Sequence, residues 1–243
     1  MVVLEWNNAV KCLALAAPGL YADLLCDLKE GRDCAFQSHG AVIIKTVWYG
    51  SERYIWYLCD TGLCDMAAAL MDLKQSNTDN LDIIRIYTGR CEGLHCLIYS
   101  RMGGPYTDRD IRPLSLQDGK CLRCFAETAD GEAEIDKIIL DNISKEFLHM
   151  QSDTSIRILG LFQKGGLAGV ISVTNKRQGK VIAVNNVFVC REYRERGYAV
   201  RLIRAALALN PFSRYVYSCG SDNPASMASA ISAGFVLEGT YVF

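Results

Sequence analysis

Apolar positions recur in two rhythms along this chain, period two over short runs and close to 3.6 over longer ones, and the rhythms take turns. Tyr21, Leu24, Leu25 and Leu28 share one helical face that stops near Gly31. Residues 41–49 and 54–59 read as two strands joined across Gly50-Ser51 as a hairpin. Leu63, Met66, Ala67, Leu70 and Met71 mark an amphipathic helix over 62–75, and residues 81–87 and 94–100 follow as strands. The order is helix, two strands, helix, strand, strand.

After Arg101-Met102-Gly103-Gly104-Pro105 the pattern starts again. Gly-Gly-Pro resists both helix and strand, so the linker falls there. Residues 111–114 open a strand, and 117–127 form a helix or an irregular turn. Ile135, Ile138, Ile139, Ile143 and Phe147 give a helical apolar stripe. Residues 156–162 are a strand, Lys164-Gly165-Gly166 turns it, 167–174 returns, and the polar stretch 176–180 leads into a further strand at 181–189. Ala199, Leu202, Ile203 and Ala206 then lie at helical spacing. Residues 215–219 form another strand, and Asn223-Pro224 caps and opens a helix that ends at Ala233-Gly234-Phe235. A weak alternation closes the chain over 235–243.

Composition narrows the class. The chain has 243 residues, half of them hydrophobic, enough for one large domain or two small ones. A net charge of −1 leaves no electrostatic footprint for nucleic acid or an anionic membrane. The N-terminus lacks a basic-then-apolar leader pattern, and no apolar run reaches the roughly 18 residues of a membrane span. The expectation is a cytoplasmic protein. Eleven cysteines, an odd number without an export signal, point to reduced thiols. Cys121-Leu122-Arg123-Cys124 could hold zinc with Cys91, His95 or Cys96, but no second tight pair exists, so buried small hydrophobes are the expected role and no metal is assigned. His39, His95 and His149 stand outside the motif region described next.

The richest stretch is 181–206. A strand runs into Arg194-Glu195-Arg196-Gly197-Tyr198-Ala199 and then into a helix. A glycine turn opening a helix can direct several backbone N–H groups at one anion, and the helix dipole favours negative charge there. Arginine suits phosphate, while Gly197 and Ala199 lack bulk where a phosphate approaches. This reads as a pyrophosphate cradle, against the plainer alternative of a charged strand–helix turn.

Strand, R-x-x-G-x-A, helix, strand, N-x-x-S, helix, G-F: this order resembles the acetyl-CoA-binding half of the GCN5-related N-acetyltransferases (GNAT family). The Ile111-Arg112-Pro113-Leu114 opening with Asp118 is similar to the family's first strand, and the resemblance covers about 109–243. It implies an α/β (α+β) fold with a mixed sheet flanked by helices. The N-terminal half, 1–103, would be a smaller α/β domain of related topology, a degenerate copy without a phosphate motif.

The resemblance implies acetyl-CoA as co-substrate and a small-molecule or peptide amine as acceptor. Nucleic acid and membrane are not expected, and a homodimer stays open. Backbone N–H groups of Phe188, Val189 and Cys190 would meet the thioester carbonyl and pantetheine. Arg194, Glu195, Arg196, Gly197, Tyr198, Ala199 and Val200 would take the pyrophosphate, and Asn223 and Ser226 the cofactor arm. Two departures stand out. Ala230 occupies the place where many members have an acidic tyrosine, and the central strand has Ala183, Asn185 and Asn186 where many have a glutamate. Asparagine is disfavoured within strands, so Asn185-Asn186 marks a bulge or a pair of amides facing the cleft. Tyr217 or Cys219, at the end of the next strand, could replace the missing acid, or be a packed tyrosine and a buried thiol. The candidate catalytic residues are Tyr217, Cys219 and Asn186. A coenzyme-A-binding sensor or scaffold without catalysis is the alternative, and a thiol or metal regulator a third.

Overall fold

The computed structural model describes residues 1–16, 34–47, 54–62, 64–76, 83–88, 96–128, 134–150, 152–176 and 181–242. The helical face expected at 21–28 lies outside them. The chain expected to divide in sequence at 103–109 groups in space into two compact units. One takes residues 1–99, 219–223 and 237–243, the other 100–218 and 224–236.

The first unit begins with β1 (Val2–Val3), α1 (Trp6–Ala16), β2 (Cys34–Ser38), β3 (Ala41–Val47) and β4 (Tyr54–Cys59). α2 (Met66–Ser76) and β5 (Ile83–Thr88) follow. β3 and β4 pair antiparallel, as the hairpin reading expects, while β4 and β5 pair parallel on either side of α2. The inner face of α2 is Ala69 and Leu73, with Met66 and Leu70 beside them, packed on Ile43, Trp56 and Leu58. The expected face is therefore rotated: Met71 points to solvent. α1 and β2 escape the pattern reading. In β2 Ala35 is buried on one face and Ser38 on the other, beside Phe36, which packs on the core of Ile43, Trp56 and Leu58, so no apolar alternation signals the strand.

β6 (Cys96–Met102) leads into the second unit. That unit holds β7 (Ile111–Pro113), a 3₁₀ turn (Leu116–Asp118), α3 (Gly119–Thr128), α4 (Glu134–His149), β8 (Ile156–Gln163) and β9 (Gly166–Lys176). β10 (Val181–Val189), a second 3₁₀ turn (Arg191–Tyr193), α5 (Tyr198–Leu207), β11 (Arg214–Gly220) and α6 (Pro224–Ser232) complete the run, and β12 (Val236–Val242) pairs antiparallel with β5. β7, β8, β9 and β10 form an antiparallel sheet, and β11 joins β10 in parallel. This is the mixed α/β sheet flanked by helices that the sequence implies.

Successive strand residues face opposite sides, and the helices divide accordingly. Phe188 meets Phe125, Ile143 and Phe147 of α3 and α4 on one face. On the other face α5 buries Leu202, Ile203 and Ala206 over β8, β9 and β10. The stripe of α4 is Ile143 and Phe147 as expected, but with Leu140 inside and Ile138 half exposed. That small rotation of the helix determines where its polar residues land.

The Gly103-Gly104 pair is pinned rather than free. Gly103 donates to the Ser213 carbonyl at 2.8 Å, and a Cβ on it would stand 2.5 Å from the Asn210 carbonyl oxygen. Just beyond, Arg201 of α5 grips Asp108 through two nitrogens at 2.7 Å and reaches Asp110 at 2.8 Å. The guanidinium holds the Asp108 carboxyl down to about 2. A depressed carboxyl stabilises the fold above its unfolded pKa, and that contribution is lost as pH falls through the folded value. Asp108 is therefore expected to contribute about 2 kcal/mol near neutrality, lost between roughly pH 4 and pH 2. Urea unfolding at pH 7 and pH 3 should show the wild type losing more stability on acidification than Asp108→Asn. Equal losses would contradict the assignment.

Candidate active site

The turn between β10 and α5 is built around two left-handed residues, Glu195 (φ 63°) and Gly197 (φ 73°). Gly197 is the N-cap of α5, and no acidic side chain stands in the helix's first turn. The first intrahelical bond runs from the Arg201 N–H to the Gly197 carbonyl at 3.0 Å. The N–H groups of Tyr198, Ala199 and Val200 precede that bond and have no acceptor within the helix. A Cβ placed on Gly197 would meet nothing within 4 Å, so the turn is open on that side. A helix start with three such donors and no acid in its first turn fits a diphosphate.

Arg194 and Arg196 behave differently. The Arg194 Nε donates to the Val189 carbonyl at 2.9 Å, and its Nη2 reaches Asp136 of α4 at 2.8 Å. Arg194 braces the turn against strand and helix. Arg196 is exposed, with its guanidinium 5.9 Å from the Tyr193 ring centre.

Upstream, the Cys190 N–H is already donated to the Ala168 carbonyl at 3.0 Å. By the alternation of antiparallel ladders, the Phe188 N–H also faces β9 and the Val189 N–H points away from it. Of the three expected backbone donors, Val189 is the one turned outward. Phe188 and Val189 are buried, and burial pushes the Cys190 thiol up to about 11.

The pairing of β10 with β11 runs from Val181 opposite Arg214 to Val184 opposite Tyr217. Asn185–Asn186 lies immediately past this last pair. Val184 faces Val173 and Asn186 faces Ser172 on β9, so Asn185 is an extra residue and the strand is bulged there. The two expected alternatives, bulge and amide pair, are one feature. Both side chains turn to α4: the Asn185 Nδ2 donates to Glu146 Oε1 at 2.8 Å, and the Asn186 Nδ2 to Oε2 at 3.1 Å. Thr174 Oγ1 and Ser172 Oγ accept the amides' second hydrogens at 2.7 and 3.3 Å. Sequence reading missed Glu146, and its signal was indirect, the pair of asparagines in an otherwise apolar strand.

Tyr217 lies on the opposite face. Its hydroxyl is 2.7 Å from Ser226 Oγ of α6 and its ring 5.7 Å from that of Phe235. Tyr215, two residues earlier, bonds the Ala206 carbonyl of α5, which fixes that face as the one carrying α5 and α6. Ala230 is fully buried. Cys219 and Asn223 fall in the first unit; Cys219 is buried in β11 and Asn223 directly precedes α6.

Other candidates lie elsewhere. Cys121 and Cys124 lie on α3 without a disulfide, half-buried and exposed, while Cys91 and His95 are outside the described residues. Among the described residues no group of three or more His, Cys, Asp or Glu could hold a metal ion. His39 sits in the β2–β3 turn and His149 at the end of α4. No helix among the described residues is long and apolar enough to cross a membrane.

Residues 124–235 match the model of the acetyltransferase (GNAT) family. No curated protein matches the chain. Among solved structures, a GNAT-family acetyltransferase from Colwellia psychrerythraea aligns with a TM-score of 0.55 at 12% identity, over 98% of this chain and 97% of its own. A GCN5-related N-acetyltransferase from Sphaerobacter thermophilus gives 0.53 at 12% identity, covering 99% and 93%. A functionally unknown conserved protein from Staphylococcus epidermidis gives 0.55 at 10% identity, covering 91% and 94%. At such identities the likeness is one of fold.

Proposed function

We propose that this chain, whose residues 124–235 match the model of the acetyltransferase (GNAT) family, transfers an acetyl group from acetyl-CoA to the amine of a small molecule or peptide. The observation that carries this reading is the left-handed Gly197 at the start of α5, whose first turn holds no acid and three N–H groups without a helical acceptor. Acetyl-CoA, when bound, supplies an activated acyl carbon with a thiolate leaving group.

The chain's own residues divide the work. The N–H groups of Tyr198, Ala199 and Val200 bind the diphosphate, with Glu195, Arg196 and Gly197 shaping its approach. Arg194 holds that turn in register with β10. The outward Val189 N–H polarises the acyl carbonyl, the role of an oxyanion donor. Phe188 and Cys190 position Val189 through the core and through the bond to Ala168. Ser226 orients the Tyr217 hydroxyl, which protonates the departing sulfur. Asn223, ahead of α6, contacts the cofactor arm, and Cys219 is the alternative acid.

The buried Ala230, which offers no hydroxyl, favours one further reading, a coenzyme-A sensor without turnover. Release of coenzyme A thiol from acetyl-CoA across a panel of amines separates the two. Amine-dependent release is expected; binding with release no faster than hydrolysis would favour the sensor.

A further inference from the structure

We propose that Glu146 is the acceptor-side proton acceptor of this transfer and that it selects an aliphatic amine arriving as a cation. The inference rests on the acyl-transfer reading above.

Consecutive strand residues normally point to opposite faces. The bulge at Asn185 cancels that alternation once, and both amides close on a single carboxylate on α4. Asparagine in a strand is unfavourable in itself, and here two of them, steadied by Thr174 and Ser172, fix one side chain. Each carboxylate oxygen accepts one N–H, which leaves lone pairs for a further donor.

Charge points to what that donor is. Among the described residues the partners of the Glu146 carboxylate are these two neutral amides. Lys145, its neighbour in sequence, turns instead to Asp141 at 2.6 Å. A half-buried carboxylate without a counter-ion attracts a cation, and an ammonium group supplies both the charge and the hydrogens.

Position completes the case. Val184 is the last residue of β10 paired with β11, and its partner is Tyr217. The amide-held Glu146 lies on the α4 face just past that pair, while the Tyr217 hydroxyl lies on the α5–α6 face. Glu146 and the Tyr217 hydroxyl therefore lie on opposite faces next to the point where β10 and β11 stop pairing, the gap in which the proposed acyl group would sit.

The step balances. The ammonium gives one proton to Glu146, which passes it to solvent. The freed nitrogen electron pair forms the C–N bond, and the C–S bond breaks with its electrons on sulfur. The nitrogen's second proton leaves to solvent, while Tyr217 protonates the sulfur and is reprotonated from solvent. One proton is released per amide formed.

The test is steady-state acylation of a panel of primary aliphatic amines, free and peptide-borne, by the wild type, Glu146→Gln and the double variant Asn185→Ala/Asn186→Ala. Circular dichroism checks folding. Glu146→Gln should lower kcat/KM for the amine by about a hundredfold or more, with KM and calorimetric affinity for acetyl-CoA unchanged. The double variant, which only loosens the carboxylate, should raise KM for the amine more than it lowers kcat. Full activity in folded Glu146→Gln would overturn the inference and leave the transferase reading standing. A wild type that binds acetyl-CoA but acylates none of these amines would overturn the inference and favour the sensor reading. A wild type that binds no acetyl-CoA would overturn both.

Discussion

Gly197→Val is expected to abolish measurable acetyl-CoA binding while leaving the fold intact. Position 197 has φ of 73°, a region that L side chains avoid and β-branched ones most of all. Valine would either hold that conformation at a cost of about 1–3 kcal/mol or swing the turn out of it. A swung turn redirects the N–H groups of Tyr198, Ala199 and Val200 that the diphosphate needs. If the turn held, the new side chain would occupy its open side. The fold survives because that Cβ would strike nothing within 4 Å. Arg194→Ala should be milder. Arg194 is tied to the Val189 carbonyl and Asp136, so the variant loosens the turn and should cost roughly ten- to a hundredfold in affinity, the worth of a charge-assisted hydrogen bond. Calorimetric titration with acetyl-CoA checks both. A folded Gly197→Val that binds like the wild type would make the loop an ordinary strand–helix turn.

The second large effect is expected at Tyr217. Tyr217→Phe removes one hydroxyl, held by Ser226, and keeps the ring against Phe235. Turnover should fall by about a hundredfold, the low end for general acid catalysis, with acetyl-CoA affinity unchanged. Cys219→Ala is the comparison. If it carries the larger loss instead, the acid is the thiol two residues further along β11. Full turnover in both variants would exclude both residues from the role.

The strand–turn–helix at 181–207 and its flanking elements were legible because their signals are local. A β-branched run, a glycine, an apolar stripe and a Pro at a helix start each speak within a few residues, and β10, α5, β11 and α6 formed where those signals stand. Arg194 was legible as a cation but not as a brace, because its partners Val189 and Asp136 depend on how the turn folds back. Cys190 was legible as a strand end, but which edge its N–H faces follows from the register with β9. Glu146 was illegible for two combined reasons. It meets Asn185 and Asn186 only because one extra residue in β10 shifts the alternation, and only because α4 is rotated so that Leu140 goes in and Ile138 comes out. Neither rotation nor bulge has a strong single-sequence signature. Similarly, β2 buries the small Ala35 on one face and the polar Ser38 on the other and so carries no apolar alternation to read.

The central claim is that the start of α5 and the outward edge of β10 receive acetyl-CoA. The most direct measurement is a backbone amide ¹⁵N–¹H titration of the wild type with acetyl-CoA. The account predicts saturable shifts concentrated at Gly197, Tyr198, Ala199, Val200 and Val189, with Cys190, whose N–H is held by Ala168, moving less. No shift at millimolar acetyl-CoA, or shifts that leave 197–200 untouched, would contradict it.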